Sequence, residues 1–361
     1  MINHSRFAED LLQFYDKEAR ELPFRVSPRP YYTWISEIML QQTRMETVVP
    51  YFNRFIREIP DIPALAAVED DRLMKLWEGL GYYSRVRNLK KAAQVMVAQN
   101  GGEMPDSFAE LIKLPGIGPY TAGAIASIAF GKAVPAVDGN VIRVFTRLEA
   151  YGGMVMNARG RQFIQAAVEA VISRERPGDF NQAVMELGAT VCLPNGEPLC
   201  GKCPVQSHCL AFRQGDPLAY PVLPVKKQRR IEDHTVLLLR QGDSFLAERR
   251  PSEGLLAGHL QFPMKAGTLS LEETEAWLRS LGFTGWEIRQ GETARHIFSH
   301  IEWHMQAFLI RVTSSQVGEG YENLKWIKGE DLTVITLPTA FKPYRQTMQR
   351  LLAEETGRRH E

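Results

Sequence analysis

An excess of either charge is missing from this chain: 43 Lys and Arg stand against 42 Asp and Glu, a net of +1. Bulk charge therefore gives no hint of nucleic acid, and any basic footprint has to be local. Long apolar runs are missing too, and none approaches the ~18 residues that suggest a membrane span. The opening MINHSRFAEDLLQFYDKEAR has no basic n-region and no apolar h-region. No secretory signal is expected, so the chain is expected to be cytoplasmic, with no membrane partner. Cysteine is scarce, four in 361 residues, and disulfides are disfavoured in the cytosol. There is no internal repeat and no low-complexity segment. What is present, 44% hydrophobic and 24% charged residues, is the composition of a soluble globular protein. The length exceeds one ordinary core and predicts two or three domains.

Strand-like alternation is nearly absent from residues 1 to about 213. Amphipathic stretches at Phe7–Tyr15, Tyr32–Phe55, Asp71–Trp77, Asn88–Gln99 and Gln162–Ile172 are separated by Gly and Pro, which predicts helices throughout. PLAYPVLPVKKQRR, Pro217 to Arg230, mixes prolines with four basic residues and reads as an extended linker. Beyond it HTVLLLR and SFLAERR flank Gly242-Asp243, the signature of a hairpin. A helix at Leu271–Leu281, strands at Glu287–Arg289 and Trp303–Val312, and a helix at Phe341–Leu352 complete a smaller α+β unit. The predicted organisation is a catalytic helical domain over 1–215, a linker over 216–231 and an α+β domain over 232–361.

All four cysteines, Cys192, Cys200, Cys203 and Cys209, fall in one segment spaced C-x7-C-x2-C-x5-C. Such grouping argues against unrelated core thiols. Zinc usually takes two close pairs, and only one is present. A [4Fe–4S] cluster needs four thiolates converging on one cube, and a single loop carrying all four can wrap it. Both metals remain open on spacing alone, with the cluster favoured. The metal would be structural or modulatory rather than catalytic.

Leu114-Pro115-Gly116-Ile117-Gly118-Pro119-Tyr120-Thr121-Ala122 follows one predicted helix, Phe108–Lys113, and opens another, Thr121–Phe130. Gly116 and Gly118 would bring backbone N–H groups close to a ligand, and Pro119 suits a first helical position. Partial positive charge at a helix start suits a phosphate, although an ordinary turn between helices would choose glycine too. The nearby Arg85-Val86-Arg87-Asn88-Leu89-Lys90-Lys91 adds local positive charge, which by itself is also what a solvated helix face looks like.

Two carboxylates stand out. Helical periodicity places Glu37 and Gln41 on the apolar sector defined by Trp34, Ile38, Met45, Val48 and Val49. An acid there is partly desolvated, which raises its pKa and suits a general acid; at the sector's edge it would instead reach water. Asp138, in Ala136-Val137-Asp138-Gly139-Asn140, reads either as a helix N-cap or as a carboxylate facing a developing sugar cation. Two acids in different environments form the pair that glycosidic cleavage needs.

Trp34-Ile35-Ser36-Glu37-Ile38-Met39-Leu40-Gln41-Gln42-Thr43, the hairpin LPGIGPYTAGAI, Asp138-Gly139-Asn140 and the cysteine loop occur in that order. Together they closely resemble the MutY adenine DNA glycosylases, from about residue 7 to the C-terminus. The resemblance implies a multidomain α then α+β chain. An all-helical helix–hairpin–helix glycosylase fold with a [4Fe–4S] loop would be followed by a C-terminal Nudix-like α+β domain that recognises 8-oxoguanine. The hairpin subdomain would span about 25–130, and the iron–sulfur subdomain 1–24 with 131–215.

The implied activity is monofunctional removal of adenine opposite 8-oxoguanine or guanine, by base flipping and acid-assisted hydrolysis in base excision repair. The implied partner is double-stranded DNA carrying that mismatch, bound by a nucleoid-associated monomer. By position, Glu37, Asp138, Tyr120 and Asn140 match catalytic residues, and Arg20, Arg25 and Gln182 match the adenine pocket. Gln42, Thr43, Tyr82, Gly116, Gly118, Phe298, Ser299 and His300 match DNA- or lesion-binding positions. Cys192, Cys200, Cys203 and Cys209 match the ligands of the [4Fe–4S] cofactor. Two departures stand out: seven residues rather than six separate the first two cysteines, and Phe24 stands where tryptophan is common.

Three rival functions are weighed against this. A glycosylase/lyase of the endonuclease III type places a lysine where this chain has Tyr120, and tyrosine cannot form a Schiff base with the sugar. A Nudix hydrolase needs the register G-x5-E-x7-R-E-x2-E-E-x-G to hold Mg²⁺, which the stretch Gly267 to Gly282 lacks. A protein that binds mismatches without chemistry would not need Glu37.

Overall fold

The computed structural model describes residues 4–26, 28–224, 228–313 and 322–358. Two compact units emerge, one from 1–68 with 84–225, the other from 69–83 with 226–361. Lys226 and Lys227 of the expected basic linker lie outside the described residues.

The first unit is helical. The elements used below are α1 (His4–Glu18), α2 (Pro30–Leu40), α3 (Met45–Glu58), α4 (Ser84–Asn100), α5 (Phe108–Leu111), α6 (Pro119–Ala124), α7 (Gly139–Leu148), α8 (Ala158–Val171) and α9 (Pro177–Thr190). Phe7 and Leu11 of α1, Val141, Val144 and Phe145 of α7, Ile164 of α8, and Phe180, Val184 and Leu187 of α9 close one core. The apolar positions recur at three- and four-residue spacing, so each helix turns one stripe inward. The expected continuous stretch from Tyr32 to Phe55 is broken at Gln41–Arg44, where Gln42 takes φ +57°. Periodicity continues across such a turn and cannot reveal it.

The expected [4Fe–4S] loop is corrected here, and with it the iron–sulfur subdomain, the metal-binding role and the cofactor. Among the described residues no group of three or more His, Cys, Asp or Glu side chains is placed to hold a metal ion. Cys192, Cys200, Cys203 and Cys209 border an apolar cavity with Val144, Leu148, Leu187 and Val205. Cys192 Sγ accepts from Arg147 Nη1 at 3.2 Å, and Cys209 Sγ donates to the Arg147 carbonyl at 3.4 Å. Burial pushes the Cys203 thiol up to about 12 and raises those of Cys200 and Cys209. The residues present do not fit the group that the spacing suggested.

The second unit carries a seven-stranded mixed sheet. β1 (Arg230–Gln241) and β2 (Ser244–Arg249) form the expected hairpin, pairing Arg240 with Phe245 and Gln241 with Ser244 across a turn where Gly242 has φ +55°. β3 (Leu260–Gln261) pairs with β2, and β4 (Met264–Ala266) with β1. β5 (Trp286–Ile297), far longer than expected, pairs antiparallel with β6 (Ile301–Val312). β6 lies parallel to β1, and β7 (Leu324–Lys328) adds to β2. Side chains alternate across β1. Leu237 and Leu239 pack with Leu278 of α10 (Leu271–Ser280) on one face. Val236 and Leu238 pack with Tyr344 and Met348 of α11 (Lys342–Arg358) on the other. A strand covered on both faces reads as the unbroken apolar run seen in TVLLL. Two acids of α10 have local work: Glu273 completes a capping box with Ser270, and Glu275 pairs with Arg279. Among the described residues no helix is long and apolar enough to cross a membrane.

Candidate active site

A cavity of about 840 Å³ opens in the helical unit. Its walls include nine of the side chains singled out in the sequence: Arg20, Arg25, Glu37, Gln42, Thr43, Tyr120, Asp138, Asn140 and Gln182. Their wide separation along the chain makes this convergence a property of the fold.

Pro30 starts α2, where a missing N–H costs nothing, and eight of its eleven residues are buried. Glu37 is the acid on this otherwise nonionic helix. It is 7% exposed, and Tyr120 Oη donates to its Oε2. Burial drives its pKa up from 4.5 to about 7, against the lowering effect of the Tyr120 bond, with Asp138 adding a further rise. The carboxyl therefore holds a proton at the pH where a general acid must. Burial also raises the Tyr120 phenol well above its ordinary value, so it remains a donor.

Asp138 fills both roles the sequence left open. It caps α7, its Oδ1 accepting from Val141 N at 2.8 Å, while it lines the cavity. Its Oδ2 accepts from Asn140 Nδ2 at 2.8 Å. Burial raises its pKa, opposed by the bonds from Val141 and Asn140. Asn140 Oδ1 in turn accepts from Arg143 Nη2 at 2.8 Å, and Arg143 also donates to Gly188 O and Cys192 O. A buried guanidinium thereby orients the amide that orients the carboxylate.

Glu186 on the same cavity wall was missed in the sequence. It is fully buried and takes Arg20 Nε at 2.5 Å and Arg25 Nη2 at 2.9 Å. Burial works to raise its pKa, but these two arginines more than offset that and lower it. The signal was available: Glu186 lies four residues after Gln182 on α9, hence on the same face. Met185, against the Tyr120 hydroxyl at 3.9 Å, gave no such signal.

The hairpin between α5 and α6 has Gly116 at φ +76°, and a Cβ there would meet Asn88 Cβ at 2.6 Å. Gly118 caps α6 and has open space where its Cβ would be, leaving its backbone approachable. The loop before α3 is held by Arg85, which the sequence offered only as a member of a basic run. Its Nη1 donates to the carbonyls of Ile38, Met39 and Gln41 at 2.7, 3.1 and 2.7 Å. The end of α2 is thereby satisfied and positively capped. In the second unit Phe298, Ser299 and His300 form the turn between β5 and β6, and Ser299 Oγ meets Tyr82 Oη at 2.5 Å. Tyr82 is 50% exposed with φ +46°.

Residues 35–159 match the HhH-GPD superfamily base excision DNA repair protein, and residues 234–347 match the NUDIX domain. The adenine DNA glycosylase of Homo sapiens is 34% identical over 93% of this chain and 72% of its own. This chain belongs to the adenine DNA glycosylase family. The Mus musculus adenine DNA glycosylase gives the same identity over 93% of this chain and 76% of its own. Among solved structures, a thermostable thymine-DNA glycosylase matches at a TM-score of 0.52 and 27% identity, covering 58% of this chain and 95% of that one. The protein is thus a hydrolase of N-glycosyl bonds, built as a helical helix–hairpin–helix unit with a Nudix-like unit.

Proposed function

We propose that this family member removes adenine mispaired with 8-oxoguanine or guanine and leaves the DNA strand uncut. The observation that carries the reading is a buried Glu37, its pKa lifted by burial to about 7, bonded to Tyr120 in a cavity that also holds Asp138. A flipped adenine in that cavity would receive the Glu37 proton at N7. The C1′–N9 bond then breaks, and its electron pair leaves with the protonated base. Asp138, whose carboxylate accepts from Asn140 Nδ2 and Val141 N, would face the oxocarbenium charge. Water adds to C1′, and the proton it loses returns to Glu37. Glu186 fixes Arg20 and Arg25 at the cavity wall, and the half-buried Gln182 beside it on α9 would meet the exocyclic amine.

Among the described residues lining the cavity there is no lysine, so Schiff-base capture of the sugar has no amine there. The division of labour we propose puts catalysis in 1–215 and lesion reading in 232–361. Phe298, Ser299 and His300 would touch the 8-oxo base, while Gln42 and Tyr82 enter the duplex beside it, with Thr43 next to Gln42, and Gly116 and Gly118 approach its backbone. We take the working form to be a monomer. The test is incubation with labelled duplexes carrying A:8-oxoguanine, A:G and A:T, followed by alkaline cleavage. Release from the first two supports the reading, and alkali-independent cleavage would overturn its monofunctional part.

A further inference from the structure

Asn181 lies on α9 between the core residue Phe180 and the cavity residue Gln182, yet is 1% exposed and absent from the cavity wall. Its carboxamide serves two separate stretches of chain. Nδ2 donates to Ser127 Oγ at 2.8 Å and to Val134 O at 2.9 Å, and Oδ1 accepts from Ala136 N at 3.1 Å. Ser127 sits in the π-helical turn Ile125–Ala129 that continues α6 and donates to Gly123 O at 2.7 Å. Residues 131–138 have no regular secondary structure and end on Asp138, so their polar groups have no ladder to satisfy them.

Three backbones meet here without slack. A Cβ on Gly123 would lie 2.1 Å from Pro135 O, and one on Gly178 would lie 2.8 Å from Ile128 Cα. One neutral amide thus joins the helix of Tyr120, the strap that delivers Asp138 and the helix of Gln182 and Glu186. The site needs two donors and one acceptor on one planar group, which asparagine has and aspartate lacks. We infer that Asn181 is a positioning residue for base release, setting Asp138 against the Glu37–Tyr120 pair. This rests on the proposed glycosylase reading of the cavity.

The test compares the full-length wild type with Asn181→Ala and Asn181→Asp. Single-turnover excision from an A:8-oxoguanine duplex is measured from pH 5 to 8.5. Affinity is measured on the same duplex carrying a non-cleavable 2′-fluoro adenosine, and hydrogen exchange is followed along the chain. Both variants should excise at least tenfold more slowly at pH 7.5, with affinity within threefold of wild type. Exchange should rise tenfold or more in the peptide covering 131–138 and stay at wild-type protection in α1 and α7. Asn181→Asp, unlike Asn181→Ala, should recover toward wild type at the acid end, where its carboxyl regains one donor.

Excision within threefold in both variants, affinity falling as far as rate, or exchange rising throughout the helical unit would each overturn the inference. A wild type that excises no adenine would remove the glycosylase reading instead, and exchange at 131–138 would then decide whether Asn181 holds the strap.

Discussion

Replacing Glu37 by glutamine should make the protein more stable and nearly inactive at once, and pH separates the two effects. Burial lifts the Glu37 pKa from 4.5 to about 7, a rise of roughly 2.5 units, or about 3 kcal/mol at 1.36 kcal/mol per unit. Below about pH 4.5 the carboxyl is neutral in both the folded and the unfolded chain and costs nothing. Between about pH 4.5 and 7 the folded chain retains a proton that the unfolded chain has released, so stability falls as pH rises. Above about pH 7 both forms are ionised and the whole cost is present. Glutamine does not titrate and keeps an acceptor for the Tyr120 hydroxyl. The stability of Glu37→Gln relative to wild type should therefore climb by up to about 2.5 kcal/mol between pH 5 and 8.5. Chemical unfolding of the DNA-free chain, followed by far-ultraviolet circular dichroism, reads this difference. Excision by the variant should fall by the ~10²–10⁴-fold that general-acid assistance supplies, with mismatch affinity retained. Parallel stability curves at the two pH values would refute the burial argument. Single-turnover excision within threefold of wild type would refute the general-acid role.

Three further outcomes are expected. Borohydride added during turnover should trap no covalent protein–DNA adduct, because Tyr120 cannot form a Schiff base; trapping in high yield would contradict the cavity chemistry. Glu186→Gln should lower stability by about 3–5 kcal/mol, the usual cost of breaking a buried ion pair, since two arginines would lose their anion; a melting temperature unchanged from wild type would show that they find another partner. The double variant Ser299→Ala with His300→Ala should narrow the preference for A:8-oxoguanine over A:G by roughly 1–3 kcal/mol, the scale of one lost base contact. Measured excision with undiminished discrimination would remove lesion reading from that turn.

The residues legible in the sequence are those whose chemistry is at odds with their local pattern. Glu37 interrupts an apolar sector, two glycines bracket Ile117, and a β-rich run follows a proline-rich segment. Each reading depended only on neighbours within a few turns of chain, and the structure puts these features on a buried helix, a hairpin and a strand covered on both faces. Residues defined by distant partners stayed hidden. Arg85 reads as one member of a basic run, yet its guanidinium closes the end of a helix more than forty residues earlier. Tyr82 and Ser299 are 217 residues apart in sequence and meet through their hydroxyls. The cysteines show the opposite failure. Their spacing suggests a ligand set, but spacing says nothing about where a side chain points, and these four edge an apolar cavity without forming a group placed to hold a metal.

Asp138 shows why a structural and a chemical reading of one residue need not compete. Capping α7 costs the carboxylate one oxygen's direction, not its charge, and the backbone N–H that it accepts favours the ionised form. Asn140 adds a second donor and is held by Arg143, so the anion is aimed as well as stabilised. Glu37 has Tyr120 on one oxygen and an apolar helix around it. Burial acts on both carboxyls in the same direction, and the count of donors separates them. Glu37 is lifted to about 7, while at Asp138 the donors oppose the rise that burial causes. The difference in donors thus follows from placing one carboxylate at a helix start, where N–H groups are unpaired, and the other within a helix, where they are spent.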